Sequence, residues 1–184
     1  MNFEKINSIL KVLSIEKLTQ FQSDYIKSYS PEQDAILLAP TGSGKTLAYL
    51  LPILTQIDFL SREEVKHLII VPTRELAIQI QEVIQNTKSK IQSTVCYGGH
   101  SFTTEANRIT EKPQIIIGTP GRLIDHLQKG TLNLKQVESI IFDEYDKCLE
   151  MGFKEQINSI YNLCNTESSK KLISATKLKD IPSF

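Results

Sequence analysis

The chain lacks an excess of charge of either sign, a long apolar run and an even set of cysteines. Its 184 residues include 21 basic and 21 acidic side chains, so a nucleic acid would have to be bound by a local basic patch and not by overall charge. No apolar run approaches the ~20 residues that a helix needs to cross a bilayer. The N-terminal segment is amphipathic and does not have the pattern of a signal peptide. These absences predict a protein without a membrane segment that lies in the cytoplasm, with a nucleoid or nucleolar site as the alternative.

A disulfide-rich fold and a metal site built from cysteines are also disfavoured. Cys96, Cys148 and Cys164 are odd in number and lack the spacing of metal ligands, which favours buried, reduced thiols in a cytosolic protein. The composition that is present, 40% hydrophobic and 23% charged residues, is typical of one globular domain with a sizeable core.

The order of apolar patterns predicts an α/β fold. Two segments with helical apolar spacing come first, at Ile6–Leu13 and Phe21–Tyr29. From residue 34 onward, Ile, Leu and Val runs alternate with helical segments, which is typical of a parallel sheet covered by helices on both faces. The predicted strands are 34–39, 67–71, 93–97, 114–118, 138–143 and 171–175, and the predicted helices are 45–57, 74–88, 101–111, 120–128 and 153–163. Such sheets bind ligands at the carboxyl ends of their strands, and the motifs below follow strands.

A glycine-rich segment follows the first predicted strand and opens the next helix. Gly42 and Gly44 allow successive N–H groups to turn toward an anion, and the helix N-terminus adds its own amides. Lys45 can neutralise phosphate oxygens, and the hydroxyl of Thr46 can ligate Mg²⁺. Ala39 stands where the general pattern begins with glycine. The predicted phosphate loop comprises Ala39, Pro40, Thr41, Gly42, Ser43, Gly44, Lys45 and Thr46.

An acidic tetrapeptide, Asp143-Glu144-Tyr145-Asp146, directly follows the apolar run Ile140–Phe142. An acidic residue that ends such a strand is the usual partner of a phosphate loop, which predicts Asp143 as a ligand of hydrated Mg²⁺. Glu144 could then orient or deprotonate an attacking water. The alternative is that these carboxylates only stabilise the N-terminus of a helix through its dipole.

With these two motifs, the chain resembles the DEAD-box RNA helicases of helicase superfamily two, over about residues 13–176. The acidic tetrapeptide lies at the position that names the family, although Tyr145 replaces the usual Ala. Leu18 likewise replaces the usual Pro of the Q motif. The other matching segments, in the family's order, are Leu18–Gln22 (Q motif), Pro72–Ala77 (motif Ia), Gly98-Gly99 (GG pair), Thr119–Arg122 (motif Ib), Met151–Phe153 and Ser174–Thr176 (motif III).

The resemblance implies a site for ATP and Mg²⁺ in which Lys45, Asp143 and Glu144 are the catalytic residues. It also implies that Gln22 reads the adenine edge, since a carboxamide can both accept and donate hydrogen bonds there. A second interpretation of Gln22 is that Thr19 and Gln22 form a capping box that opens a helix.

The resemblance further implies contacts to the RNA backbone, in which glycines let phosphates approach amides and arginines pair with phosphate oxygens. Thr119 and Pro120 also fit plain helix initiation, and both interpretations can hold, because a helix N-terminus is itself a phosphate site. Asp146, Ser174 and Thr176 are implied to couple the acidic motif to the RNA side. The implied RNA-binding residues are Thr73, Arg74, Gly98, Gly99, Thr119, Gly121 and Arg122.

By this resemblance, residues 1–30 form N-terminal helices that include the Q motif, and residues 31–184 form a RecA-like ATP-binding domain. A second RecA-like domain, which would carry an arginine finger and half of the RNA site, is absent from these 184 residues. We expect a monomeric RNA helicase that hydrolyses ATP when both domains are present. One alternative is a non-catalytic RNA-binding or scaffold module with the same fold. Another, a P-loop kinase or GTPase, is disfavoured because the sequence has no Asn-Lys-x-Asp guanine signature.

Overall fold

The computed structural model describes residues 2–57, 64–164 and 167–177. They form a six-stranded sheet in which every neighbouring pair of strands is parallel. The strands are β1 Ala35–Leu38, β2 His67–Ile70, β3 Ser93–Cys96, β4 Ile115–Gly118, β5 Ser139–Phe142 and β6 Ser169–Ser174. The helices are α1 Phe3–Val12, α2 Gln20–Ser28, α3 Lys45–Gln56, α4 Arg74–Asn86, α5 Phe102–Thr110, α6 Pro120–Gln128, α7 Tyr145–Glu150 and α8 Lys154–Leu163. Within these ranges, no helix is both long and apolar enough to cross a membrane.

The predicted strands and helices are all present, and their ends differ from the prediction by at most two residues, except that α1 begins at Phe3, three residues before Ile6. Strand β6 begins two residues earlier than predicted, because Ser169 and Lys170 pair with β5 even though both are polar. Helix α7 was not predicted. Its six residues are too few to show a helical period in the sequence.

The order of the strands is β1-β6-β5-β2-β4-β3. Successive side chains of a strand point to opposite faces, so Leu68 and Ile70 pack in one core while Ile69 and Val71 pack in the other. Helices α1 to α4 cover one face and α5 to α8 cover the other. Because all strands run in the same direction, their carboxyl ends lie along one edge, and this edge carries every motif that follows a strand.

Candidate active site

The phosphate loop joins β1 to α3 and turns through the left-handed region twice. Gly42 and Gly44 both have a φ of 81°, which residues with a Cβ rarely adopt. A Cβ on Gly44 would also collide with Nε2 of Gln22. Helix α3 starts after Gly44 without a side-chain cap, so its first N–H groups are available to an anion. The side-chain oxygen of Ser43 in the same loop is buried without a hydrogen-bond partner, which fits a loop shaped to hold a ligand.

The side chain of Lys45 lies over this loop. It is only 8% exposed, and its Nζ donates to the carbonyl oxygens of Ala39 at 2.6 Å and Pro40 at 3.0 Å. The loop therefore holds a positive charge within reach of any phosphate that its amides bind.

Asp143 lies at the carboxyl end of β5, facing the first turn of α3. Its Oδ2 is 3.5 Å from the hydroxyl of Thr46 and accepts a hydrogen bond from the hydroxyl of Tyr49 at 2.8 Å. Its Oδ1 accepts from the backbone N–H of Glu144 at 2.9 Å. Hydroxyl and carboxylate oxygens are the ligands that Mg²⁺ prefers, so Thr46 and Asp143 fit the predicted metal site.

The electrostatic environment of Asp143 is dominated by burial. The residue is 2% exposed, and this raises the pKa of its carboxyl from 3.8 to about 6, although the hydrogen bonds from Tyr49 and Glu144 and the charge of Lys45 oppose the rise. A carboxylate held in this way is costly in the folded chain. A bound divalent cation would relieve the cost.

Glu144 is the N-cap of α7 and has a φ of 48°. A non-glycine residue in this region costs of order 1–2 kcal/mol, and such strain is concentrated at functional sites. The carboxylate of Glu144 forms an ion pair with Lys147 at 2.9 Å. The side chain that is predicted to act on water is thus in a strained backbone position next to Asp143.

Asp146 connects α7 to the end of β6. Its Oδ2 accepts hydrogen bonds from the backbone N–H of Ala175 at 3.2 Å and of Thr176 at 3.0 Å, and from the hydroxyl of Thr176 at 2.9 Å. The hydroxyl of Ser174 donates to the carbonyl oxygen of Thr176 at 2.8 Å. The structure therefore brings together the three residues expected to couple the acidic motif to the rest of the protein.

Gln22, the last residue of the Q motif, is buried beside the phosphate loop. Its Oε1 accepts from the N–H of Thr19 at 2.9 Å, and Thr19 accepts in return from the N–H of Gln22, so both hydrogen bonds of a capping box are present. Its Nε2 donates to the carbonyl oxygen of Gly44 at 3.1 Å. The carboxamide that was expected to read adenine thus also ties α2 to the phosphate loop.

The predicted RNA-binding residues follow three adjacent strands, β2, β4 and β3, at the same edge of the sheet. Thr73 caps α4 through the N–H of Leu76, whereas Thr119 makes no side-chain cap at α6. Gly99 has a φ of 82°. A Cβ on Gly98, Gly99 or Gly121 would meet no heavy atom within 4 Å. Open backbone at these positions is compatible with phosphates lying close to it.

The two arginines of this region differ. Arg74 is exposed, with its guanidinium 5.2 Å from the ring centre of Tyr97. The side chain of Arg122 is only 13% exposed. Its Nε donates to Glu105 at 2.7 Å, and its Nη2 donates to the carbonyl oxygen of His100 at 2.7 Å.

Tyr49 and Glu105 lie outside every motif recognised in the sequence. Tyr49 follows Lys45 by four residues in a helical pattern, so its position on the same helix face as the loop lysine was a usable signal. No comparable signal identifies Glu105, since its partners come from separate segments of the chain.

Comparison with known proteins supports the resemblance. The family model for DEAD/DEAH box helicases matches residues 19–182. The ATP-dependent RNA helicase DbpA of Bacillus subtilis is 35% identical over 98% of this chain and 38% of its own length. A probable ATP-dependent RNA helicase of Dictyostelium discoideum, ddx27, is 40% identical over 89% of this chain and 22% of its own length. The chain thus spans well under half of these relatives.

A solved structure shares the fold. The crystal structure of a DEAD box protein from the hyperthermophile Methanococcus jannaschii superposes with a TM-score of 0.87 at 32% identity, over 96% of this chain and 48% of the other. This likeness confirms the predicted RecA-like α/β fold. The chain belongs to the DEAD/DEAH box helicase family.

Proposed function

We propose that this chain is the ATP-binding first domain of a DEAD-box RNA helicase, which hydrolyses ATP with Mg²⁺ and couples hydrolysis to RNA binding and duplex unwinding in the full-length protein. The observation that carries the proposal is the convergence of Lys45, Thr46 and Asp143. Thr46 and Asp143 are 97 residues apart in sequence, and Oγ1 of Thr46 is 3.5 Å from Oδ2 of Asp143.

Each residue of this group has a distinct task. The loop amides and Lys45 bind the phosphates, and Thr46 and Asp143 hold Mg²⁺, which when bound neutralises charge on the phosphate oxygens. Glu144 orients or deprotonates the attacking water. Gln22 contributes to adenine recognition, and its hydrogen bond to Gly44 links that recognition to the phosphate loop.

The division of the sheet edge supports a coupled RNA site. The nucleotide motifs follow β1, β5 and β6, and the proposed RNA-binding residues follow β2, β4 and β3. Asp146 joins the acidic motif to Thr176, so movement at the nucleotide can be passed to the end of β6. We further propose that RNA is bound through its backbone, that a second RecA-like domain completes both sites, and that the protein acts as a cytoplasmic monomer. The presence of Lys45, Asp143 and Glu144 together counts against the alternative, a non-catalytic RNA-binding or scaffold module.

Two variants separate binding from chemistry. Lys45→Ala should weaken binding of a fluorescent ATP analogue by ~10-fold or more, because Lys45 contacts phosphate in the ground state. Glu144→Gln should bind the analogue normally but lower turnover by the full reading frame ~10²-fold or more. Lys135→Ala, which removes an exposed lysine elsewhere, is the matched control. Equal nucleotide affinity in Lys45→Ala and wild type would refute the phosphate-loop assignment.

A further inference from the structure

Glu105 is a fully buried carboxylate that the proposed chemistry does not use. It lies in α5, and its side chain is 0% exposed. Its Oε2 accepts from Nε of Arg122 at 2.7 Å and from Nε2 of His126 at 2.8 Å, and its Oε1 accepts from the backbone N–H of Tyr97 at 3.2 Å. Burying an ionised carboxylate is costly unless it is paired and hydrogen-bonded. The arrangement meets that condition, because both carboxylate oxygens of Glu105 accept hydrogen bonds.

Arg122 is fixed on both sides of its guanidinium. Besides the bond to Glu105, its Nη2 donates to the carbonyl oxygen of His100, and its Nη1 is 3.9 Å from a carboxylate oxygen of Asp125. The guanidinium also lies 5.1 Å from the ring centre of Phe102. To pair directly with an RNA phosphate, Arg122 would have to leave contacts that hold it inside the protein.

Glu105 and Arg122 form hydrogen bonds with the backbone on either side of the GG pair. Glu105 holds the N–H of Tyr97 before Gly98 and Gly99, and Arg122 holds the carbonyl oxygen of His100 after them. Arg122 itself lies in the first turn of α6, immediately after Gly121. The pair therefore connects the GG loop to the N-terminus of α6, two backbone segments whose glycines Gly98, Gly99 and Gly121 have open space beside the backbone.

A metal site at this position is excluded by its own chemistry. Cys96, Glu105 and His126 place one ligand atom each within 4.8 Å of one another. Both oxygens of Glu105, however, already accept hydrogen bonds, and the guanidinium of Arg122 would repel a cation. Burial also raises the pKa of the Cys96 thiol to about 12, so the thiolate that a metal needs is disfavoured.

We propose that Glu105 and Arg122 are a positioning pair that sets the GG loop and the N-terminus of α6 at the distance required by neighbouring phosphates of one RNA strand. In this arrangement Arg122 acts through the loop and does not pair with phosphate. The inference rests on the proposed RNA-binding function and gives Arg122 a different role from the one that the family resemblance implied.

The test is a double-mutant cycle on RNA affinity. The full-length protein, with a non-hydrolysable ATP analogue bound, is titrated with a fluorescent single-stranded RNA. Glu105→Ala and Arg122→Ala should each weaken RNA binding by ~10-fold or more. The RNA affinity of the double variant should be no lower than that of the single variant with the larger loss. The slope of log affinity against log salt should stay at the wild-type value, since no phosphate contact is lost.

If only charge mattered, the change in RNA affinity of Glu105→Ala would have the opposite sign. Removing an acidic residue should raise affinity for RNA, so a loss in Glu105→Ala reports positioning. Glu111→Ala, which removes an exposed carboxylate just after the same helix, is the matched control and should bind at least as well as wild type. Glu105→Gln provides a milder variant that keeps the volume of the side chain. Analogue affinity and the thermal transition by circular dichroism should show that each variant is folded.

Three results would overturn the inference. One is a normal RNA affinity in folded Glu105→Ala and Glu105→Gln. The second is a cycle in which the losses add while Arg122→Ala lowers the salt slope by ~0.7, the value for one phosphate contact on a single strand. The third is a wild-type protein that binds the analogue but no RNA. That outcome would reject the proposed RNA function itself and is distinguishable from the first two.

Discussion

Replacing Asp143 with Asn should stabilise the folded chain at neutral pH while removing a proposed Mg²⁺ ligand. Burial raises the pKa of this carboxyl from 3.8 to about 6. A shift of about two pKa units corresponds to about 3 kcal/mol in favour of the unfolded chain, where the group ionises freely. That cost already includes the stronger hydrogen bonds that Tyr49 and Glu144 donate to the ionised group, and Asn, which is neutral, avoids it. The free energy of unfolding at pH 7.5 should therefore rise by about 3 kcal/mol.

The pH dependence follows from which state binds the proton. Between pH 3.8 and about 6, the folded chain keeps a proton on Asp143 that the unfolded chain has released, so this group lowers stability as pH rises. His67 acts in the opposite direction, because burial lowers its pKa from 6.5 to about 4 and the unfolded chain binds a proton that the folded chain does not. The contribution of His67 cancels when the free energy of unfolding of wild type is subtracted from that of Asp143→Asn at each pH. The difference in the free energy of unfolding between Asp143→Asn and wild type should be small near pH 4 and reach its full value above about pH 6.

The assay is urea unfolding followed by circular dichroism, because the chain has no tryptophan. EDTA is present and nucleotide is omitted. With an m-value of about 2 kcal/mol/M, the Asp143→Asn midpoint should move up by about 1.5 M. Asp146→Asn is the matched control: burial raises the pKa of Asp146, but hydrogen bonds from Thr176 and Ser174 outweigh burial and lower it, so that variant should lose stability. An Asp143→Asn midpoint at or below wild type at pH 7.5 would refute the reasoning.

Three further predictions concern the proposed nucleotide and RNA sites. Tyr49→Phe removes the hydroxyl that lies 2.8 Å from Oδ2 of Asp143 and should lower the free energy of unfolding by about 1–2 kcal/mol in the same urea assay; an unchanged midpoint would contradict it. Single-stranded RNA homopolymers should bind the full reading frame with similar, salt-sensitive affinities, because backbone contacts read no base, and a ~100-fold preference for one base would be inconsistent with that. The 184 residues alone should bind adenine nucleotide but hydrolyse it ~10³-fold or more slowly than the full reading frame, because an arginine finger is worth ~10³–10⁵ in rate; robust RNA-stimulated turnover by these residues would show that one domain completes the site.

The sequence by itself determined the features that depend on neighbouring residues. The apolar runs predicted every strand, because a parallel strand buried on both faces needs continuous Ile, Leu and Val. The phosphate loop was predictable because Gly42 and Gly44 are required by backbone angles that few residues adopt. The place of the acidic tetrapeptide at the carboxyl end of the sheet was predictable, because it directly follows the apolar run that forms β5. Helix α7 was missed because six residues are shorter than two helical turns.

Only the tertiary structure decided which distant side chains meet. Tyr49 and Asp143 are separated by 94 residues and form a buried hydrogen bond, and Gln22 joins its own capping box to Gly44 of the phosphate loop. The order of the strands placed the GG loop after β3 beside the helix that follows β4, which allowed Glu105 to capture Arg122. A sequence motif specifies residue types and spacing along the chain, but the direction of a side chain depends on the neighbours that strand order brings to it.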